Sequence, residues 1–451
     1  MRQGNKVVIL FYPEDDEGFA WQPFSYQRLA PVLFESGYKP VVIDQRVQSD
    51  WRNLLKKHLD GALWIGFSLI SGVMIRYALE VAALVKDLRP SLPVIFGGWH
   101  TTCLPKQTLQ HPLVDYAVVG SGEEQVGQLS RYLQGRGSKP DRSYGKEDLG
   151  QLTDDFTGFK LVTPATRYDW RLGYKLIPDM DLYRSDNNIA ALFSAISCPY
   201  GKCSFCSIVS MYRFAMRDTN DVLDEIQYLT EDRKFTSINF HDGLFFTAPK
   251  LVMPLIKGFK ERGFHMKWKA KARGNCLQRF SHEEISLIKE SGLRVVAVGL
   301  ESGSPRMLKR MRKGTKPSDA VDLVRICKDL EIELQTTFMS GLPGDTVDDL
   351  KMTLEQIEEL RAMYNGFYYS SFFFLPAPGT KAFDEFVDTG GEVPESLEGW
   401  SSVKWREPNK INKLHWLNPR ERDEFMRVYH DYFDAENKAK RVSWSHDKGK
   451  R

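Results

Sequence analysis

The chain has 451 residues, of which 42% are hydrophobic and 27% charged, as in an ordinary globular protein with room for two or three domains. A net charge of +3 is too small to indicate a nucleic-acid partner, and six cysteines in this length exclude a disulfide framework. No signal peptide precedes the apolar segment Val7–Phe11, and no apolar run reaches the roughly 20 residues of a membrane span. We therefore expect a monomeric cytoplasmic protein without membrane contact.

The first 135 residues alternate between apolar strands and helices. This alternation predicts an α/β fold with a doubly wound, Rossmann-like parallel sheet, whose ligand lies beyond the carboxyl ends of the strands. The predicted strands are Val7–Phe11, Pro40–Asp44, Gly61–Ser68, Pro93–Phe96 and Val114–Val119, with helices over Tyr26–Glu35 and Val73–Leu88.

Three glycine-containing loops follow the third, fourth and fifth of these strands. Ordinary tight turns explain any one of them, but three at one sheet edge favour a ligand site, because glycine allows the backbone to approach a ligand closely. The candidate binding residues are Ser68, Leu69, Ile70, Ser71 and Gly72, then Gly97, Gly98 and His100, then Gly120, Gly122 and Glu123.

Residues 136–189 are polar and irregular, which predicts a linker or strap. From 190 to 384, six strand–helix units predict a partial (β/α)6 barrel with its active residues at the carboxyl ends of the strands. Residues 385–451 are expected to form a short, mostly helical capping region and a basic tail, with Trp400 to Tyr432 covering the open side of the barrel.

Cys198, Cys203 and Cys206 lie on one short loop that contains Pro199 and Gly201. A closed zinc site needs four ligands, catalytic zinc on three adjacent thiolates would be unusual, and three inert buried thiols are a further alternative. A 4Fe-4S cluster is normally held by four cysteines. Three would leave one iron open to a second ligand, so the spacing favours a catalytic cluster.

Several segments, taken in order, resemble radical S-adenosylmethionine (radical SAM) enzymes, and the whole chain is similar to the cobalamin-dependent branch of that superfamily. The similarity covers roughly residues 5 to 385. It is carried by Gly97–Thr102, Gly120–Glu124, Cys198–Cys206, Phe240–Phe246, Ala272–Asn275, Val298–Pro305, Lys313–Thr315, Gly341–Thr346 and Leu375–Thr380.

The resemblance implies three cofactors, namely a 4Fe-4S cluster on the three cysteines, SAM on the open iron, and cobalamin on the N-terminal loops. It assigns SAM contacts to Phe205, Asp242, Arg273, Glu301, Ser302 and Pro376. From their residue types alone, Phe205 has loop packing as its alternative, Asp242 a turn cap, and Arg273 a surface ion pair. Cys103, Cys276 and Cys327 are expected to be structural.

Two features depart from the family pattern. Four residues instead of three separate Cys198 from Cys203, which predicts a bulge in the loop. No Asp-x-His-x-x-Gly segment supplies a histidine to cobalt, so the resemblance implies cobalamin without its base on the metal, its lower face covered near Leu69 and Ile70.

The implied reaction is methyl transfer to an unactivated carbon after hydrogen abstraction by a 5′-deoxyadenosyl radical. The substrate would be a small molecule or a peptide, and a flavodoxin- or ferredoxin-type protein would supply electrons. Alternatives are a cyclase, ring-contracting or oxidative enzyme with the same cofactors, or a cobalamin sensor or carrier. A methylthiotransferase is a weaker alternative, because that family needs a second cysteine triad and the first half contains only Cys103.

Overall fold

The computed structural model describes residues 6–15, 18, 20–154, 169–185, 187–208, 212–403 and 411–437. The chain forms two compact units, Met1–Tyr183 with Val393–Glu407, and Arg184–Glu392 with Pro408–Arg451. Among the described residues, no helix combines the length and the apolar character needed to cross a membrane.

The first unit is built on a six-stranded sheet in the order β2-β1-β3-β4-β5-β6. Strands β1 to β5 run parallel, and β6 pairs antiparallel with β5. The predicted doubly wound sheet is thereby confirmed. The strands are β1 Val7–Tyr12, β2 Lys39–Asp44, β3 Ala62–Ser68, β4 Val94–Gly97, β5 Tyr116–Val118 and β6 Ser143–Gly145.

Helices cover both faces of this sheet, which explains why the interior strand β1 is apolar throughout and almost fully buried from Val8 to Phe11. Strand β6 falls within the predicted linker. The Tyr183 hydroxyl donates to the Asp44 carboxylate at 3.0 Å, so the end of this stretch also packs in the first unit. The helices are α1 Phe24–Glu35, α2 Trp51–Leu59, α3 Val73–Leu88, α4 Gly98–Cys103, α5 Pro105–Gln110, α6 Val126–Tyr132 and α7 Trp170–Leu176.

The second unit contains a six-stranded, all-parallel sheet in the order β14-β13-β12-β11-β10-β7. The predicted partial barrel is confirmed. A short antiparallel pair, β8 and β9, flanks the cysteine loop. The strands are β7 Ile189–Leu192, β8 Ala195–Ile196, β9 Ala215–Met216, β10 Ser237–Phe240, β11 Lys267–Ala272, β12 Leu293–Glu301, β13 Glu333–Ser340 and β14 Phe367–Phe373.

The two faces of the second sheet differ in character. On one face an aromatic cluster is fully buried, with the rings of Phe240, Phe259 and Trp268 within 6.2 Å of one another. This face packs beneath the helices. On the other face polar side chains such as Gln335 and Thr337 remain partly exposed. Because side chains alternate along a strand, this second face is the inner surface of the partial barrel.

The remaining helices belong to the second unit, apart from α15, which lies in Val393–Glu407. Trp400 of α15 packs edge-on against His100 in the first unit, with ring centroids 5.9 Å apart. Trp400 therefore packs within the first unit, and its covering of the barrel stays a prediction. The helices are α8 Thr219–Gln227, α9 Pro249–Glu261, α10 His282–Glu290, α11 Pro305–Arg310, α12 Pro317–Asp329, α13 Val347–Met363, α14 Lys381–Asp388, α15 Leu397–Ser401 and α16 Pro419–Asn437.

Candidate active site

The cysteine loop is fixed by the segment that follows α11. The Ser204 amide donates to the Met311 carbonyl at 2.9 Å, and the Tyr200 hydroxyl donates to the Arg312 carbonyl at 2.8 Å. Because both bonds end on backbone carbonyls, they hold the loop against the 311–313 segment whatever the side chains there. The extra residue between Cys198 and Cys203 is therefore accommodated in a loop with defined contacts.

Three residues in the segments around the cysteine loop have backbone angles that normally favour glycine. Ser197, Glu301 and Arg312 have φ values of 67°, 69° and 52°. Such conformations are uncommon for residues with a side chain and occur where the surroundings impose them. Ser197 precedes the first cysteine, and Arg312 accepts the bond from Tyr200. The strained residues thus lie in or beside the predicted cofactor site.

Glu301 ends β12 and forms a buried ion pair. The Lys313 ammonium donates to its carboxylate at 2.8 Å, and both side chains are about nine-tenths buried. Burial alone would lower the pKa of Lys313, but Glu301 and Cys203 nearby raise it above its usual value. Gly299 is required here, because a Cβ at this position would overlap the Glu301 carboxylate.

Arg273 follows β11 and lies beside the same pair. Its guanidinium stacks on the Tyr200 ring, with Cζ 3.3 Å from the ring centroid, and one of its Nη atoms donates to the Lys313 carbonyl. Its Nε is buried and has no hydrogen-bond partner among the described residues. A buried cationic N–H without an acceptor is costly, so this atom fits a site that receives a carboxylate or another oxyanion.

Asp242 is placed differently from its predicted role. The carboxylate is fully buried and accepts bonds from the Ser194 amide at 2.8 Å, the Ala195 amide at 3.2 Å and the Ser194 hydroxyl. Burial raises the pKa of Asp242 to about 6, although these hydrogen bonds oppose the shift. These contacts match the turn-cap alternative and position the backbone that leads into the cysteine loop.

The other predicted SAM residues lie on the same side of the second unit. The Phe205 ring is 5.7 Å from the Lys313 ammonium. Ser302 forms a 3.0 Å hydroxyl–hydroxyl bond with Thr353, and its Oγ accepts from the Ser304 amide, so it shapes the turn after β12. Pro376 is buried just after β14.

The three loop cysteines fit a cluster. Cys198, Cys203 and Cys206 are partly accessible, whereas Cys103, Cys276 and Cys327 are buried, as expected of structural thiols. Burial raises the pKa of Cys203 to about 11, and the nearby Lys313 opposes that shift. Within the described residues no three His, Cys, Asp or Glu side chains converge on one ion, but a 4Fe-4S cluster takes its thiolates on separate irons.

In the first unit, the three predicted loops are joined by hydrogen bonds. The Leu69 amide donates to the Gly97 carbonyl at 2.9 Å, and the Gly120 amide donates to the Thr102 hydroxyl at 3.0 Å. Gly98 has a φ of 87°, and a Cβ there would overlap the Leu69 backbone. The carboxyl ends of β3, β4 and β5 therefore form one continuous backbone surface, which suits a large planar cofactor.

The side chains of these loops divide into structural and accessible groups. Leu69 is buried, whereas 46% of Ile70 is exposed, so Ile70 is the apolar side chain that this loop offers to a ligand. His100 is fully buried, and its Nδ1 lies 2.8 Å from the Ser71 hydroxyl. Burial lowers the pKa of His100 to about 3, so the ring is neutral.

The last predicted loop closes against helix α1. Glu123 forms an ion pair with Arg28, and a Cβ on Gly122 would come within 3.0 Å of Leu29. Gly122 thus allows the loop to pack closely on the helix. These contacts with α1 cover one side of the loop, so only its remaining atoms are accessible to a ligand.

Lys313 belongs to one of the motifs that carry the family resemblance, but the sequence predicts no role for it. Its pairing with Glu301 depends on the course of the segment between β12 and α12, which the sequence does not reveal.

Comparison with known proteins finds one family match in each of the two units. Residues 18–130 match the B12 binding domain, and residues 195–357 match the radical SAM superfamily. An uncharacterized methyltransferase of Pyrococcus horikoshii is 28% identical over 68% of this chain and 66% of its own length. The anaerobic magnesium-protoporphyrin IX monomethyl ester cyclase of Rubrivivax gelatinosus is 23% identical over 84% of this chain and 70% of its own length.

Solved structures share the fold. The cobalamin-dependent SAM radical enzyme OxsB, with aqua-cobalamin and SAM bound, matches with a TM-score of 0.72 and 16% identity over 96% of this chain and 71% of its own. The methyltransferase TsrM of Kitasatospora setae, with cobalamin and a 4Fe-4S cluster bound, matches with a TM-score of 0.65 and 17% identity over 86% of this chain and 76% of its own. The match to the P. horikoshii relative spans slightly less than two thirds of that protein.

A match to the B12 binding domain is thus followed by a match to the radical SAM superfamily, and the chain is similar to proteins that include methyltransferases and a cyclase. The cofactors of these two domains are a 4Fe-4S cluster, SAM and cobalamin.

The cluster assignment predicts that only the loop cysteines matter for iron. After anaerobic reconstitution we expect about four iron and four sulfide per chain, because one open iron and three thiolates suit a cubane. Replacing Cys198, Cys203 and Cys206 together by Ala should abolish the visible chromophore, measured with iron and sulfide analysis. Cys276→Ala and Cys327→Ala serve as controls and should keep it; loss of iron in these two alone would refute the assignment.

The SAM contacts that the sequence predicts for Arg273 and Glu301 imply weaker SAM binding in variants of these residues. Arg273→Ala and Glu301→Gln should each raise the Kd for SAM through loss of charged hydrogen bonds worth roughly 1.5–3 kcal/mol. Equilibrium dialysis with reconstituted protein measures this, and the iron content should stay normal. Arg279→Ala, an exposed arginine on the following turn, is the matched control. Unchanged SAM affinity in both variants would show that these two side chains do not bind SAM.

The close backbone approach at Gly98 predicts a specific effect on cobalamin. Gly98→Ala should weaken cobalamin binding, since the new Cβ forces the β4 loop away from Leu69. Gly150→Ala is the control, because a Cβ there meets no atom within 4 Å. Binding is followed by the cobalamin absorbance retained after gel filtration, with circular dichroism to verify folding. A folded Gly98→Ala protein with full cobalamin occupancy would contradict the assignment.

Proposed function

We propose that this protein is a C-methyltransferase that acts on an unactivated carbon of a small molecule or peptide. The observation that carries the proposal is the presence in one chain of a B12 binding domain and a radical SAM domain whose buried ion pair and arginine lie beside three accessible cysteines. The P. horikoshii relative, named a methyltransferase, supports this choice of reaction.

When bound, SAM on the cluster supplies a 5′-deoxyadenosyl radical that removes hydrogen from substrate, and cobalamin supplies the methyl group. The residues of this chain bind and orient these groups. In the proposal Arg273 holds the SAM carboxylate through its unpartnered Nε, and Glu301, which is paired with Lys313, accepts from ribose hydroxyls. Asp242 positions the loop entrance through Ser194 and Ala195.

A cyclase or oxidative enzyme with the same cofactors is the second candidate. The Rubrivivax gelatinosus relative, named a cyclase, aligns over 84% of this chain, a larger share than the methyltransferase does. Both reactions begin with hydrogen abstraction and differ in whether a methyl group is added afterwards. Either one requires an external electron donor, for which we propose a flavodoxin- or ferredoxin-type protein.

Methyl transfer predicts two products from SAM. With cobalamin, a strong reductant and the true substrate, 5′-deoxyadenosine and S-adenosylhomocysteine should form about one to one, because one SAM is spent as oxidant and another as methyl donor. Liquid chromatography with mass spectrometry measures both nucleosides. The substrate should gain about 14 mass units and take up label from methyl-deuterated SAM, as expected for replacing H by CH3.

Two other outcomes distinguish the alternatives. Deoxyadenosine without a methylated product, across a broad substrate panel, would support the cyclase or oxidative reaction. If neither nucleoside appears while the chromophore and cobalamin are both present, the protein is not a radical enzyme and the sensor or carrier alternative applies. The Cys198/Cys203/Cys206→Ala protein provides the background for each assay.

A further inference from the structure

The inner face of the partial barrel carries a row of basic side chains. Strand β11 reads Lys-Trp-Lys-Ala-Lys-Ala, and its lysines alternate with the fully buried Trp268 and Ala270. Because β11 lies between β10 and β12 in the sheet, one of its faces must point into the barrel. Trp268 packs with the outer aromatic cluster, so Lys269 and Lys271 point inward.

Neighbouring strands place polar groups beside these lysines. Lys271 pairs in register with Ala297, which pairs with Gln335, and the Lys269 ammonium donates to the Gln335 side-chain oxygen. His241, just beyond β10, lies close enough to both lysines for their charges to lower the pKa of its ring, although burial is the larger cause. Lys269, Lys271, His241 and Gln335 therefore form one cluster.

Neither ammonium group of this cluster is held in a direct ion pair. Among the described residues, the Lys271 ammonium has neither an ion pair nor a hydrogen bond, and no ion pair involves Lys269. The nearby acidic groups are Glu333, which acts on Lys269, and Asp242 and Cys206, which act on Lys271. Asp242 already accepts hydrogen bonds from Ser194 and Ala195.

The two lysines differ in exposure but share partial removal from water. Lys271 is exposed and Lys269 is half-buried, and surrounding protein atoms lower the pKa of both ammonium groups, to about 8 for Lys269. An accessible ammonium without a direct ion-pair partner can receive an anion through a charged hydrogen bond.

An apolar surface lies on the same face of the sheet. Tyr368 pairs in register with Gln335 and is half-buried. Phe372, four residues further along β14 and so on the same face, is 53% exposed although its neighbour Phe373 is buried. An exposed phenylalanine on an otherwise packed strand marks a contact surface for an apolar ligand.

We propose that Lys269 and Lys271 form an oxyanion subsite inside the barrel, and that the substrate carries a carboxylate or phosphoryl group there and an apolar, planar portion against Tyr368 and Phe372. This rests on the proposed function, in that the barrel encloses the substrate of the radical reaction. It narrows the substrate class to amphiphilic small-molecule anions.

The test uses three probes with the same ring system, 2-naphthoate, 2-naphthyl phosphate and neutral 2-naphthamide. Their binding to reconstituted full-length protein is measured by fluorescence titration. We expect at least one anion to bind tighter than the amide by about tenfold or more, the effect of a charged hydrogen bond. The preferred anion distinguishes a carboxylate site from a phosphoryl site.

The variants are Lys269→Met and Lys271→Met, singly and together, with Lys271→Arg as the conservative exchange. The Met variants should remove the preference for the anion and leave the affinity for naphthamide unchanged. Lys271→Arg should retain much of the preference for the anion. Lys267→Met is the matched control, because Lys267 shares the strand and the face but begins β11, far from its carboxyl end. It should behave as the unaltered protein.

Three results would overturn the inference: no binding of any probe, equal binding of anions and amide, or an anion preference that survives in the double variant. A rise in the Kd for SAM without a change in probe binding would also overturn it, because the lysines would then serve the cofactor. Formation of 5′-deoxyadenosine without substrate is measured in parallel. Its absence points to failure of the proposed function, whereas normal formation with no anion preference rejects the subsite alone.

Discussion

The arrangement of the second unit depends on the buried ion pair between Glu301 and Lys313. Removing two charges from water is costly, and the cost is recovered only if both partners stay in contact. This requirement fixes the 311–313 segment against the end of β12. The carbonyls of that segment in turn hold the cysteine loop and Arg273, so one electrostatic constraint sets the relative positions of cluster ligands and SAM contacts.

Much of the fold follows from sequence periodicity. Helix Val73–Leu88 has the predicted bounds, since it combines a clear apolar period with Gly72 before it and Arg89 after it. Helix Trp51–Leu59 was not predicted, because it buries little beyond Trp51, Leu55 and Leu59 among charged residues. Strand Ser143–Gly145 has no apolar pattern and exists because β5 offers it an edge.

The sequence predicts the candidate cofactor residues but not the contacts that support them. Cysteine spacing and a carboxylate at a strand end point to Cys198, Cys203, Cys206 and Glu301. Side-chain pairings that depend on the course of a turn cannot be read from the sequence. It therefore does not show that Lys313 pairs with Glu301 or that Asp242 binds Ser194. The strand order, which the sequence does not give, is what places the lysines of β11 on the inner face of the second sheet.

The path of the chain limits how this protein can be recombined. Val393–Glu407 folds with the first unit, although the residues on either side of it fold with the second. Neither unit is therefore a contiguous stretch of sequence. Exchanging the cobalamin-binding half for that of a relative at a single junction would leave Trp400 facing a foreign partner in place of His100. A chimaera therefore has to take both parts of the first unit, Met1–Tyr183 and Val393–Glu407, from the same parent. This requirement restricts the simple replacement of one domain in this architecture.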